Sequence, residues 1–444
     1  MRSFFLVCSA ALVISYAAFG LELPVGTALL SYNLGDTSVS IAVFAAGGLQ
    51  TVSVVPIPRQ ELAEKVEAFW EELTSPPAPG EEALGELRAR ERGKELYDLL
   101  IAPIEGYIRG VSHLVIVPSG ELFRVPFSAL LRCPGCGKKR DLWRGEYLIE
   151  RYSISYLPCV PTSLEGGRRT VYRRFLAVSS PHDPLLETIP SFFTEASIVP
   201  PQRFGEELGK GGYDVIYIPC GYLSLIPGAP WISGFHLDSK VPYVSIAGMA
   251  ELGVGADLLF FAGGLFGGPL SALGSTTEAL LGTGIRTFIF SLWSPPWEPT
   301  PTRAFFSYLL QGLPKAEALR DAQLKLLRSI SYRHPFFWAG YVLYGDGLGG
   351  VQVETGKLEY ELYRMLIDWE MNPVGTPPSV EVLLTLERSA TQGDLESLKA
   401  LSRELEVLGA YGSFVVVRVP LPLLRELAKL PQVRSVGSMP GMIP

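Results

Sequence analysis

One stretch, Ala256–Pro269, constrains the fold of this chain more than any other. It has the sequence ADLLFFAGGLFGGP, in which a short continuous apolar run follows an acidic residue and ends in a series of glycines. An apolar run of this length that ends in glycines predicts a fully buried parallel strand followed by a tight loop. In open α/β sheets, ligands and catalytic groups lie just beyond the carboxyl ends of such strands. The stretch therefore marks where a functional site is expected.

Four further segments repeat this pattern along the chain. Each is a short apolar run that ends at a turn residue, and helix-length spacing separates most of them. The segments are LVIV at Leu114–Val117, RRFLAVSSP at Arg173–Pro181, YDVIYIPCGYL at Tyr213–Leu223 and RTFIFSLW at Arg286–Trp293. Together they predict an α/β fold with a mostly parallel central sheet that is covered by helices on both faces.

Composition limits the classes of function. A chain of 444 residues with 48% hydrophobic and 19% charged residues predicts two or three compact units with a large core. The net charge of −7 argues against a nucleic-acid partner, which would need a basic surface. The glycines of GGLFGG match neither the dinucleotide fingerprint nor the P-loop spacing, so no cofactor is predicted.

The first 20 residues predict a targeting segment. Arg2 precedes an apolar run from Phe4 to Phe19, and small residues follow at its end. This order is typical of a secretory signal, so residues 1–20 predict export to a periplasmic or extracellular location. The run is short for a membrane span, and an uncleaved anchor is the alternative. A membrane contact is expected only through that segment.

Cys133 and Cys136 form the motif CPGC, which has the spacing of a metal knuckle or a redox pair. A structural zinc ion needs four ligands, and no second CxxC or histidine pair completes the set. The two cysteines therefore predict a local disulfide, and no metal site is expected. A half-site that is completed by another chain is the alternative.

Seven motifs, in order, resemble those of the CHAT domain, a caspase-like fold of the clan CD cysteine peptidases. They are LVIVPSGELFRVPFSALL, YLIERYSISYLP, YDVIYIPCG, ADLLFFAGG, TFIFSLW, ALRDAQ and HPFFWAGYVLYGD. The resemblance covers residues 24–347. It implies a caspase-like α/β sandwich with a central, mostly parallel sheet, and a cysteine–histidine dyad on two loops that follow parallel strands.

The two residues of that dyad are absent from this sequence. In the family the histidine follows one strand in a pattern like HFATHG, and the cysteine follows another in a pattern like LSACETG. Placed without gaps, these residues fall on Gly221 and Gly264, and the stretch Ala256–Pro269 contains no Cys, Ser, Thr or His. Glycine can neither attack a carbonyl nor carry a proton. The sequence therefore predicts a pseudo-peptidase rather than an enzyme.

Two alternatives for this site follow from the neighbouring residues. Cys220 and His236 could form a relocated dyad that retains peptidase activity, although a cysteine there also suits a small buried hydrophobe. Alternatively, the lost side chains leave a shallow apolar cleft that binds a protein or a peptide. The predicted binding residues are Tyr222, Trp231, Gly263, Gly264 and Phe266.

The C-terminal part of the chain predicts a separate small domain. A helix and a proline-rich linker occupy residues 348–378, and residues 379–444 have the order βαββαβ of a ferredoxin-like fold. The motifs GAYGSFVVVRVP, PLPLLRELAKLP and VRSV resemble the subtilisin propeptide or inhibitor-like domain. The resemblance implies a sheet that packs against a protease, so inhibition of a subtilisin-like protease is a further hypothesis. A purely structural appendage is the alternative.

Overall fold

Two units make up the fold, one from Met1–Phe305 with Pro314–Gly350 and one from Phe306–Leu313 with Val351–Pro444. The structure is a computed structural model, and it describes residues 21–78, 80–161, 163–164, 167–180, 183–238, 243–266, 269–294 and 300–439. The predicted signal segment, residues 1–20, lies outside the described residues.

A large sheet forms the centre of the first unit. Its strands are β1 (Thr27–Leu34), β2 (Ser38–Ala45), β3 (Gly48–Pro56), β4 (His113–Val117), β7 (Ser153–Tyr156), β9 (Arg174–Val178), β10 (Glu195–Val199), β11 (Val215–Ile218), β12 (Tyr222–Ser224), β13 (Gly234–His236), β14 (Val244–Ser245), β15 (Leu258–Phe266), β16 (Thr287–Ser291) and β17 (Tyr341–Gly345). The short strands β5 (Leu131–Arg132), β6 (Glu146–Tyr147), β8 (Arg169–Thr170) and β18 (Gly350–Val351) lie outside it.

Within the described residues the strand order of the large sheet is β10-β9-β11-β15-β16-β17-β7-β4-β1-β2-β3. Most neighbours are parallel, but β16 and β17 are antiparallel, as are β1, β2 and β3 among themselves. The sheet therefore has two parallel blocks that run in opposite directions. The predicted mostly parallel α/β sheet is confirmed.

Helices cover the sheet wherever the apolar period changes from two to about 3.6 residues. They are α1 (Arg59–Thr74), α2 (Glu82–Leu100), α3 (Leu148–Arg151), α4 (Leu185–Thr188), α5 (Pro201–Leu208), α6 (Ile246–Glu251), α7 (Leu273–Gly282), α8 (Thr300–Leu310) and α9 (Lys315–Leu327). In α1, for example, Leu62, Val66 and Phe69 recur on one face and are buried. The opposite face carries the charged residues, so burial of one apolar stripe holds the helix on the sheet.

The second unit has the predicted ferredoxin-like topology. Its elements are α10 (Tyr360–Met371), β19 (Ser379–Leu386), α11 (Gln392–Leu401), β20 (Glu406–Tyr411), β21 (Phe414–Pro420), α12 (Leu424–Lys429) and β22 (Val433–Ser438). The antiparallel sheet has the order β20-β21-β19-β22. Alternate residues such as Val382, Leu384 and Val417 are fully buried. Leu362 and Leu366 of α10 join this core, so α10 is part of the unit.

Within the described part of the chain, no helix combines the length and the apolar character that crossing a bilayer requires.

Candidate functional site

Of the two glycines onto which the motif alignment places the family dyad, Gly221 lies just before strand β12 and Gly264 lies on the neighbouring strand β15. Strand β11 pairs with β15 as far as Ile218 and Phe261, and after a short break β12 pairs with the same strand. Tyr222 stands opposite Gly264, which places Gly221 beside Gly263 at the carboxyl edge of the sheet. The structure therefore brings Gly221 and Gly264 together as the alignment of the motifs predicts.

Neither glycine position has room for a side chain. Gly221 has a φ of +103°, and a Cβ atom there would lie 2.2 Å from the carbonyl oxygen of His236. A Cβ atom on Gly264 would lie 2.5 Å from Oγ and 2.9 Å from the backbone nitrogen of Ser294. Such contacts lie inside the van der Waals distance, so the neighbouring backbone would have to move. The neighbouring chain therefore fills the space that a side chain at either glycine would occupy.

Cys220 and His236 lie near these glycines, but they face different partners. The His236 ring is stacked between the rings of Tyr222 and Tyr243, with centroid distances of 4.4 and 4.9 Å. Its Nε2 forms a hydrogen bond of 3.1 Å with Oγ of Ser224. Among the described residues, no hydrogen bond joins the Cys220 thiol to this ring.

The electrostatics also disfavour Cys220 as a nucleophile. Burial raises the pKa of the Cys220 thiol, and although a hydrogen bond with Ser180 opposes the rise, the carboxylates of Asp183 and Asp238 add to it. Burial lowers the pKa of His236, so its ring is neutral near pH 7. A reactive cysteine needs the opposite, a thiol pKa lowered by a nearby positive charge. The arrangement keeps Cys220 as a neutral thiol.

The other predicted binding residues are only partly brought together. Tyr222 is half-exposed and forms one side of the stack with His236, directly opposite Gly264. Trp231 is 46% exposed on a separate 3₁₀ turn, Pro230–Ile232, and it lies beside Gly282 of α7. The side chain of Phe266 lies outside what the structure describes. The exposed Tyr243 belongs to the surface but was not predicted, because nothing in its own segment indicates the stacking.

A buried polar cluster fixes the amino end of β15. Asp257 accepts hydrogen bonds from the hydroxyl of Tyr172 (2.5 Å) and contacts Nζ of the fully buried Lys315 (2.8 Å). Lys315 also donates to Oγ1 of Thr287 (3.0 Å). These residues are far apart in the sequence, and only the placement of Lys315 among the apolar residues of α9 could have indicated them.

The CPGC motif forms the local disulfide between Cys133 and Cys136. Gly135, with a φ of +77°, allows the tight turn between them. Among the described residues, no group of three or more His, Cys, Asp or Glu side chains is arranged to hold a metal ion.

The sequence is similar to one domain family and to curated proteins from two organisms. The model of the CHAT domain family matches residues 90–204 and 201–346. Tetratricopeptide repeat protein 28 of Homo sapiens is 37% identical over 118 residues, which cover 26% of this chain and 5% of that protein. The protein of the same name from Mus musculus is 23% identical over 378 residues, which cover 67% of this chain and 15% of that protein. The chain thus spans only a small part of these curated relatives.

Solved structures of two cysteine peptidase systems are also similar at low identity. The Saccharomyces cerevisiae separase–securin complex aligns with a TM-score of 0.44 and 10% identity, over 76% of this chain and 31% of that chain. The Arg-specific cysteine proteinase gingipain R aligns with a TM-score of 0.37 and 10% identity, over 82% of this chain and 90% of that chain. Both TM-scores are below 0.5, so we assign the fold from the order and directions of the strands in the sheet and not from these two structures. Because the family model covers more than half of its residues, the chain belongs to the CHAT domain family.

Proposed function

We propose that this chain is a CHAT domain protein without peptidase activity, and that it binds a protein or a peptide. The observation that carries the proposal is that Gly221 and Gly264, onto which the motif alignment places the dyad, leave no room for side chains. A cysteine peptidase needs a thiolate and a histidine within hydrogen-bond reach of each other. Because the neighbouring backbone fills the space at both glycines, we infer that replacing these two residues alone would not restore peptidase activity.

The surface beside the glycines supports a binding role. Tyr222, His236 and Tyr243 form a continuous stack, and both tyrosines are substantially exposed, at 38% and 42%. Rigid aromatic rings contribute large contact areas at a low entropic cost, and tyrosine is enriched among the residues that dominate interface energies. Both curated relatives are named after tetratricopeptide repeats, which form extended binding surfaces, and this name is consistent with a role in protein assemblies.

The absence of activity is tested with a library of fluorogenic peptides and a thiol-alkylating peptide probe. The wild-type chain, C220A and H236A should all give rates equal to the buffer blank, and the probe should not label Cys220 faster than the exposed Cys159. Peptide cleavage by the wild type that both substitutions abolish would establish the relocated dyad and overturn the proposal.

The binding role is tested by selecting peptides from a random display library on the full chain. We expect selected peptides to bind a Y222A/Y243A variant at least tenfold more weakly than the wild type. The matched control is Y107A, which removes a tyrosine that is 51% exposed on the first unit and belongs to neither proposed binding surface. Equal affinity of all three proteins for every selected peptide would contradict the assignment of the partner to this surface.

The second unit supports a second candidate function, inhibition of a subtilisin-like protease. Its sheet order is that of the ferredoxin-like fold, and the β20–β21 hairpin exposes Tyr411 and Phe414. If this candidate is correct, the full chain in excess slows subtilisin, and a Y411D/F414D variant slows it less. An unchanged rate of subtilisin with the full chain would exclude inhibition of that enzyme.

We further propose that residues 1–20 direct export. The supporting feature is the order of Arg2, the apolar run and the small residues at its end. Expression in a bacterial host should yield a product that begins near residue 21 in the periplasm or the medium. An uncleaved product in the membrane fraction would favour the anchor, and an uncleaved product in the cytosol would contradict export.

A further inference from the structure

A partly enclosed cavity of about 220 Å³ lies on one face of the large sheet, and none of its lining residues belongs to the glycine site. Its walls are mostly apolar and include Val115, Leu157, Pro161, Leu164 and Leu348. An apolar cavity of about 150 Å³ is large enough to bind benzene. The cavity therefore has room for a short apolar chain together with a small polar group.

Three hydrogen-bond donor groups at the wall of the cavity form no hydrogen bond within the described residues, although one of them, the Arg286 guanidinium, takes part in two longer ion pairs. The Arg286 guanidinium lies 3.5 Å from Asp346 and 3.6 Å from Asp257, but it makes no hydrogen bond to any described residue. The backbone N–H groups of Gly347 and Leu348 likewise donate to no group in the described chain. A cavity wall that combines apolar side chains with such donors suits a ligand that carries a hydrogen-bond acceptor.

The buried polar side chains His113 and Ser155 at the cavity are already paired with each other or with Ser153. His113 is buried, and its Nδ1 and Nε2 lie 2.9 Å from the hydroxyl oxygens of Ser153 and Ser155. Because Ser153 also donates to the carbonyl oxygen of Ser112 (3.3 Å), it accepts from Nδ1, and Ser155 donates to Nε2. Burial lowers the pKa of His113 to about 4, so the ring is neutral at physiological pH. It adds no positive charge to the cavity.

The local charges cancel. Arg286 and Lys315 are the cations, and Asp257 and Asp346 are the anions of one connected group. A charged ligand would leave an unbalanced charge in a partly enclosed apolar space, which is costly. A neutral acceptor can bind the guanidinium and the two backbone N–H groups without that cost.

We propose that this cavity binds a small neutral acyl compound, with a short apolar chain against Leu157 and Leu164 and a carbonyl oxygen that accepts hydrogen bonds from Arg286 and the N–H groups of Gly347 and Leu348. This site is separate from the glycine-lined surface and does not depend on the function proposed for that surface.

The test is titration of the full chain with butyramide, butyrate and butylamine, followed by ligand-observed NMR and calorimetry. Butyramide should bind most tightly, butyrate at least tenfold more weakly, and butylamine not at all, because it has no acceptor. The variants L157W and L164W, which fill the cavity, and R286Q, which removes the charged donor, should each weaken butyramide binding at least tenfold. The control R203Q changes an exposed arginine of α5 outside the cavity lining.

Two independent cavity-filling variants are used, so that the test can still be made if one of them does not fold. Butyramide binding that is unchanged in a folded L157W or L164W protein would place the compound elsewhere and overturn the proposal. Absence of binding by the wild type at concentrations up to 50 mM would also overturn it. Tighter binding of butyrate than of butyramide would contradict the argument from charge balance.

Discussion

Replacement of Gly221 by alanine tests whether the chain has closed over the position of the family histidine. Two effects should add at this position. The φ of +103° lies in a region that costs an L-residue about 1–3 kcal/mol. The new Cβ would also lie 2.2 Å from the carbonyl oxygen of His236, and overpacking of this kind costs about 1–3 kcal/mol when the backbone must shift. We expect G221A to lower the free energy of unfolding by about 3 kcal/mol or more.

Three matched glycines separate the two effects. Gly228 has a φ of +72° with no atom within 4 Å of its Cβ position, so G228A should cost only the backbone term, about 1–2 kcal/mol. Gly264 has an ordinary φ but meets Ser294, so G264A should cost only the packing term, about 1–3 kcal/mol. Gly205 lies in α5 with open space around it, and G205A should stabilise the chain by about 0.5–1 kcal/mol.

The assay is urea denaturation of the full chain, with the unfolding of the first unit followed by tryptophan fluorescence. The decisive comparison is G221A against G228A. If both lower the free energy of unfolding equally, the contact with His236 does not constrain Gly221, and the dyad position is open. In that case the argument for an irreversible loss of catalysis would fail.

Three further predictions concern the core and the second unit. Burial lowers the pKa of His113 and His334 from 6.5 to about 4, so the unfolded state binds more protons as the pH falls toward 4. Their stabilising contribution is therefore nearly complete at about pH 7.5, and about 1.4 kcal/mol for each should be lost by about pH 5.5. Urea denaturation at each pH measures this loss, which H113Q should halve. K315M removes the nearest cation of the buried Asp257, at 2.8 Å, and leaves the Arg286 guanidinium at 3.6 Å, so it should lower the unfolding free energy by about 3–5 kcal/mol. A measured loss below about 1 kcal/mol would contradict this role. T391A removes the capping hydroxyl of α11 and should cost about 1 kcal/mol in thermal unfolding of the second unit, whereas T391S should cost little.

The sequence predicts the elements of the fold because their apolar periods are strong. The buried strand β15 and the stripe of α1 follow directly from residue spacing. The direction of β17 does not follow, because an apolar run has the same pattern in either direction. The role of α10 was also missed: its apolar face is visible in the sequence, but the core to which Leu362 and Leu366 belong is formed by strands that come later in the chain.

The candidate site was predicted less completely than the fold. Motif order leads to Gly221 and Gly264 as the predicted dyad positions, because each follows a strand that the sequence marks clearly, and the structure places the two glycines close to each other. The crowding by His236 and Ser294 could not be predicted, since it depends on where loops return after the strands. The cavity was missed for the same reason: its donor Arg286 and the N–H groups of Gly347 and Leu348 meet only when β16 and β17 pair.

The β12–β13 hairpin links the proposed loss of the dyad at Gly221 to the proposed binding surface, because one strand pairing produces both. A histidine at the end of β11 needs space on the side where β13 now runs, and the carbonyl oxygen of His236 occupies that space. The same hairpin places Tyr222 opposite His236 and completes the aromatic stack with Tyr243. Reopening the dyad position would therefore separate the rings that form the proposed binding surface. Selection for binding would maintain glycine at Gly221, because the closed backbone and the stack are two consequences of one strand pairing.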